Sequence, residues 1–178
     1  VARRGGDRGE GAGGRRWTMQ REVGAGLTPG EFQKKVGDNS VRHVGLTESI
    51  AMTADAMGWT LDRITDDIQP KLAAVTISSE FLAVDPGYVC GIIQDGVGYR
   101  KNEPVIRLHM EAYLGAPESF DSVDIEGSPN ISSKITGGIH GDIATASIVV
   151  NSIPKVLQAP AGLHTMRDLA LPSFFSGR

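Results

Sequence analysis

The apolar positions of this chain change period twice, from helical spacing to alternation and back. Thr28-Pro29-Gly30-Glu31 reads as a capping box with proline at the first helical position, so a short helix is predicted to about Val36, ended by Gly37-Asp38-Asn39. A second helix follows residues 43–49, with Ile50, Ala51, Ala54 and Met57 as its inner face and Gly58 just past its end. From Trp59 the period becomes two. Short and long strands are predicted over residues 59–64 and 72–84, the long one carrying Val75, Ile77, Ser79, Phe81 and Ala83 on one side. Asp85-Pro86-Gly87 turns into a strand over 88–94, and residues 95–98 are read as another turn. In the strand over 105–114, Ile106, Leu108, Met110 and Ala112 alternate with Arg107, His109, Glu111 and Tyr113. One face is therefore apolar and the other charged, as in an antiparallel sheet covered by helices on one side. Weaker strands are predicted over 122–126 and 130–136.

Helical spacing returns over residues 143–157. Ile143, Ala146, Val149, Val150, Ile153, Val156 and Leu157 recur as one broad face that is expected to be buried, with Pro154 expected to kink or break the last turn. Gly137 and Gly138 permit backbone angles closed to other residues, and Gly141-Asp142 supplies a helix start with an acidic side chain near exposed N–H groups. Helices, then antiparallel strands, then a helix define an α+β fold: a largely antiparallel or mixed sheet with helices packed on one face.

Charge divides the chain unevenly. Residues 1–22 hold six arginines against Asp7, Glu10 and Glu22, whereas the remainder holds 12 basic and 18 acidic side chains. So acidic a body argues against nucleic acid as a partner. Residues 1–16 are almost without apolar material, and the first 22 residues are expected to be a disordered or irregular Arg/Gly-rich segment, with the folded domain over 23–178. Gly9-x-Gly11-x-x-Gly14 formally matches a dinucleotide fingerprint, but no apolar strand precedes it and no helical pattern follows. A single cysteine, Cys90, excludes an internal disulfide framework and suits a reducing, cytoplasmic setting. No apolar run approaches the ~20 residues that span a bilayer, so no membrane partner is expected. The four histidines, His43, His109, His140 and His164, lack metal-ligand spacing, and no zinc site is expected.

Six segments carry a resemblance: VGAGLTPGEF (23–32), HVGLTESI (43–50), ADAMGW (54–59), VDPGYVCG (84–91), GGIHGDIATA (137–146) and NSIPKVLQAPAGLHTMRDL (151–169). Together they resemble the C-terminal domain of the 2,4-diaminopentanoate dehydrogenase family, relatives of dihydrodipicolinate reductase. The resemblance implies an α+β domain that contributes substrate contacts and an oligomer interface through its sheet. Its cofactor, NAD or NADP, is then held by an N-terminal Rossmann domain that is absent from these residues. The HHxxK-type motif of dihydrodipicolinate reductases has no counterpart here, so amine or amino-acid oxidoreduction is the implied chemistry rather than reduction of dihydrodipicolinate.

Within that resemblance, His43 or His140 is the expected catalytic group, for proton transfer or hydrogen bonding near neutral pH. Glu48 and Asp142 are candidates for holding a substrate ammonium, and Ser49 with the Gly138 backbone for placing a carboxylate. Plain structural roles account for the same residues: an exposed histidine beside a helix entrance, and first-turn acids that offset the helix dipole. Two functions follow. One is the substrate-binding and homo-oligomerisation domain of an NAD(P)-dependent oxidoreductase for small amine or amino-acid substrates, inactive as an isolated chain. The other is a stand-alone binding or assembly module derived from it.

Overall fold

A computed structural model describes residues 2–4, 20–41 and 43–174, with backbone alone for 2–4. Most of the Arg/Gly-rich segment, including the Gly9–Gly14 match, lies outside the described residues. The chain divides into two compact units, Val1–Gly138 and Ile139–Arg178.

In chain order the first unit holds β1 (Ala2–Arg4), α1 (Pro29–Gly37), α2 (Leu46–Ala56), β2 (Arg63–Leu72), β3 (Ile77–Ser78), β4 (Ala83–Val84), β5 (Val89–Arg100), β6 (Glu103–Tyr113), β7 (Phe120–Ile125) and β8 (Ile131–Thr136). Six of the strands form one sheet in the order β2-β5-β6-β1-β7-β8, and β3 and β4 form a small separate ladder. The pairings are antiparallel except for β1 with β6. Residues 2–4, expected to be irregular, thus contribute a strand between β6 and β7.

The capping box forms as read. Thr28 Oγ1 accepts from the Glu31 amide, and the Glu31 carboxylate accepts from the Thr28 N–H at 2.9 Å. The core gathers Phe32 of α1 with Val41, Val89, Ile92 and Met110, and Ile50 and Ala54 of α2 with Ile106. Helices therefore cover one face of the sheet, as expected. On α2 only part of the predicted inner face is inside: Ile50 and Ala54 are buried, whereas Ala51 and Met57 are exposed.

Two strand boundaries are corrected. The long strand over 72–84 does not exist; its place is taken by the end of β2 and the short β3–β4 pair. The true strand, β2, carries Asp66-Asp67 and Pro70, which disrupt apolar alternation. Pro70 is tolerated because β2 is an edge strand. The turn expected over 95–98 is also absent, since β5 runs straight through it. Gly96 and Gly98 are there because α2 lies on them: a Cβ at Gly96 would come 2.8 Å from Ile50 Cδ1, and one at Gly98 would come 2.7 Å from Ile50 Cγ2. The chain reverses at Lys101-Asn102 instead, both at positive φ.

In the second unit, α3 (Gly141–Gln158) contains Pro154 and has His140 as its N-cap residue, without a side-chain capping bond. Its apolar stripe is the main correction. Ile143, Val149, Val150, Ile153, Val156 and Leu157 are all exposed, Leu157 at 80%, while the buried residue is Ser152. Periodicity identified the face correctly but not its environment.

Candidate functional site

Cross-strand register on the sheet face away from α1 and α2 brings four charged side chains together. Asp95 of β5 stands opposite His109 of β6, and Glu111 follows two residues later on the same face. Lys71 comes from β2, where its neighbour on β5 is Gly91. With no side chain at Gly91, Lys71 reaches across to β6, where its Nζ lies 3.1 Å from Glu111 Oε2 and 4.6 Å from the Tyr113 ring centre. Glu111 Oε1 is 3.2 Å from His109 Nε2, and His109 Nδ1 is 2.7 Å from Asp95 Oδ1.

The result is an alternating row: carboxylate, imidazole, carboxylate, ammonium. Both ring nitrogens face acceptors, so the doubly protonated imidazolium is the form that satisfies both bonds. Burial works against charge on His109, but the hydrogen bonds to Asp95 and Glu111 outweigh it and raise its pKa above the ordinary 6.5. Burial also opposes the charge on Glu111, yet bonds from His109 and Lys71 bring its pKa below 4.5. The bond to Glu111 raises the pKa of Lys71 despite partial burial. Asp95 is the open end of the row, its side chain 54% exposed against 26% for His109. A cation arriving from solution meets Asp95 first, with a proton donor fixed directly behind it.

The helix-covered face carries a second polar group. Gln94 of β5 is fully buried between Ile68 and Met110, its register neighbours. Its Nε2 donates to the two Asp66 carboxylate oxygens at 2.8 and 3.0 Å and lies 3.3 Å from the His43 carbonyl oxygen. The segment bearing His43 then turns through Gly45, at φ 112, into α2. Glu48 and Ser49 occupy the exposed first turn of α2. Glu48 Oε2 accepts from Thr47 Oγ1 at 3.0 Å, and the Ser49 N–H is donated to the Gly45 carbonyl at 2.9 Å. His43, Glu48 and Ser49 therefore share one helix entrance.

Gly137 and Gly138 both take positive φ, as their sequence suggests. The Gly138 N–H is donated to the Ile135 carbonyl at 3.2 Å. His140 and Asp142 belong to the second unit, at the start of α3, where the His140 carbonyl accepts from the Ala144 amide. Sequence reasoning missed Asp95 and Glu111 as partners of His109, and Lys71 as the partner of Glu111. The alternation over 105–114 placed His109 and Glu111 on one face, but Asp95 was read into a turn and the strand holding Lys71 was not recognised.

The sequence model of a family described as the 2,4-diaminopentanoate dehydrogenase C-terminal domain matches residues 15–178. A 2,4-diaminopentanoate dehydrogenase of Acetoanaerobium sticklandii is 36% identical over 165 residues, covering 89% of this chain and 47% of that protein. The chain thus spans about half the length of this relative. The structure resembles that of an amine dehydrogenase from Mycobacterium smegmatis with a TM-score of 0.78 at 23% identity, covering 98% of this chain and 52% of that one, which establishes likeness of fold. By sequence, extent and fold, this chain belongs to the 2,4-diaminopentanoate dehydrogenase C-terminal domain family.

Proposed function

We propose that the chain is the substrate-binding and oligomerisation domain of a cytoplasmic, NAD(P)-dependent oxidoreductase acting on amine or amino-acid substrates. The observation that carries this reading is the Asp95–His109–Glu111–Lys71 row in a member of a dehydrogenase family. The cofactor, held by a nucleotide-binding region outside these residues, accepts or returns the hydride. The residues of this chain supply the rest. Asp95 receives the substrate ammonium. His109, held protonated, gives a proton in the reductive direction and takes one in the oxidative direction once it is neutral. Glu48 and the Ser49 hydroxyl, beside His43, offer contacts for a second ammonium or a carboxylate at the α2 entrance. His140 and Asp142 are the corresponding candidates of the second unit. Self-association through the sheet is supported by β7 and β8, which expose Val123, Ile125, Ile131 and Ile135 on one face.

The test uses the full-length protein, assayed with 2,4-diaminopentanoate and simpler amines against NAD and NADP. Amine-dependent cofactor reduction is expected, and its absence with every amine overturns the reading. His109→Gln should cut turnover at least tenfold and flatten the rise of oxidative rate with pH, because the base form of His109 appears only as pH passes its raised pKa. An unchanged profile removes His109 from the mechanism. His43→Ala and His140→Ala are each expected to cost at least tenfold in turnover, and an unchanged rate excludes the residue concerned.

A further inference from the structure

A fully buried amide in an apolar layer calls for an explanation, and Gln94 adds a second oddity. Its Oε1 is buried with no hydrogen-bond partner among the described residues. The assignment of the two amide atoms is secured by its neighbours, because both the Asp66 carboxylate and the His43 carbonyl are acceptors and require the NH₂ group to face them. An unpaired buried acceptor is destabilising, and a leucine of similar volume would pack against Ile68, Ile92 and Met110 without that defect. Stability alone therefore gives no reason for glutamine here. What glutamine does and leucine would not do is tie the segment leading into α2 to the sheet.

Among the described residues of that segment the apolar anchor is Val41, 2% exposed within the core cluster of Phe32, Val89, Ile92 and Met110. Two residues later the His43 carbonyl meets Gln94, and two residues after that Gly45 opens α2 in a left-handed conformation. Asp66 is exposed and fixes the rotation of the amide by taking one of its hydrogens, so the other points to His43. We propose that Gln94 is a positioning residue: oriented by Asp66, it holds the main chain of His43 so that the imidazole is presented at the entrance of α2. This rests on the reading of His43 as a working side chain in the preceding section. It adds the element that sets its place.

The test is made on the 178-residue chain, with amide hydrogen exchange and the ring signals of His43 followed by NMR in Gln94→Leu and Asp66→Ala. Gln94→Leu is expected to unfold at no lower temperature than the parent. Exchange at Ser49, whose N–H is held by the Gly45 carbonyl, and at Ile50 in the first turn of α2 should rise at least tenfold while Ile92 and Met110 stay protected, and the His43 ring signals should shift or broaden. Asp66→Ala, an exposed change that spares the core, is expected to move the same amides in the same direction by a smaller factor. Unchanged exchange and ring signals in both variants overturn the proposal. A lowered unfolding temperature with exchange rising evenly across the sheet also overturns it, since the amide would then be merely structural. The functional reading fails separately: an unaltered turnover of His43→Ala in the full-length protein would remove the role of His43 and leave the effect of Gln94 on the loop intact.

Discussion

His109 is the residue at which charge, register and pH meet. Its folded pKa lies above the ordinary 6.5 because two carboxylates outweigh the effect of burial. Between the ordinary and the raised value the folded state holds more protons than the unfolded state, so stability falls as pH rises through that window. The His109 contribution is fully present below about 6.5 and gone above the raised value. Glu111 works in the opposite sense: its depressed pKa gives a contribution present above the ordinary 4.5 and lost as pH falls through the folded value. Both contributions are complete between about 4.5 and 6.5, and the row should be most stabilising there. Urea midpoints of the parent chain are expected to decline from pH 6 to pH 8, and His109→Gln should flatten that decline while costing about 1 kcal/mol at pH 6. A slope that survives the substitution would place the titration elsewhere. None of this was visible before the fold, since Asp95 reaches His109 through pairing of β5 with β6 rather than through sequence spacing.

At the scale of elements, sequence was legible wherever a local rule decided the outcome. The capping box set the start of α1, strict alternation marked β6, and Gly137-Gly138 took the positive φ their composition suggests. It misled where a distant element decided. Gly96 and Gly98 look like a turn, yet they lie in a strand because α2 packs on the space their side chains would need. This has a measurable consequence. A turn glycine exposed to solvent accepts alanine at little cost, whereas Gly96→Val forces Ile50 and Leu46 out of place, with a destabilisation of about 1–3 kcal/mol. Denaturant unfolding of Gly96→Val against Gly26→Ser separates the two cases, since Gly26 has no atom within 4 Å of a built Cβ and suffers only from its positive φ. Equal, small losses in both would mean that α2 does not press on β5. The helix α3 teaches the complementary lesson. Its period was read correctly, but a 3.6-residue stripe reports only that a face is apolar, and here that face is exposed.

For the whole molecule, the apolar surface left open bears on how the chain associates. The β7–β8 face and the α3 stripe each expose several large aliphatic side chains, more than isolated surface residues account for. The proposed interface is the sheet, and β8 is its outer strand, with every residue exposed. Paired substitutions on that face, Ile131→Lys with Ile135→Lys, should therefore disperse an oligomer of the 178-residue chain measured by sedimentation at micromolar concentration. Because both side chains already stand in solvent in the single chain, the monomer should lose no more than about 0.5 kcal/mol of stability. Val149→Lys with Leu157→Lys on α3 provides the contrast. Dispersal by the sheet pair alone fits an interface built on the sheet; dispersal by the helix pair alone would move it to the second unit and overturn the proposal. The same purified chain should give no NAD(P)H fluorescence response at micromolar cofactor, as the proposed function places the nucleotide on residues outside this chain. A clear response would relocate cofactor binding into these residues, and the sheet face would then have to be read as part of a complete catalytic centre.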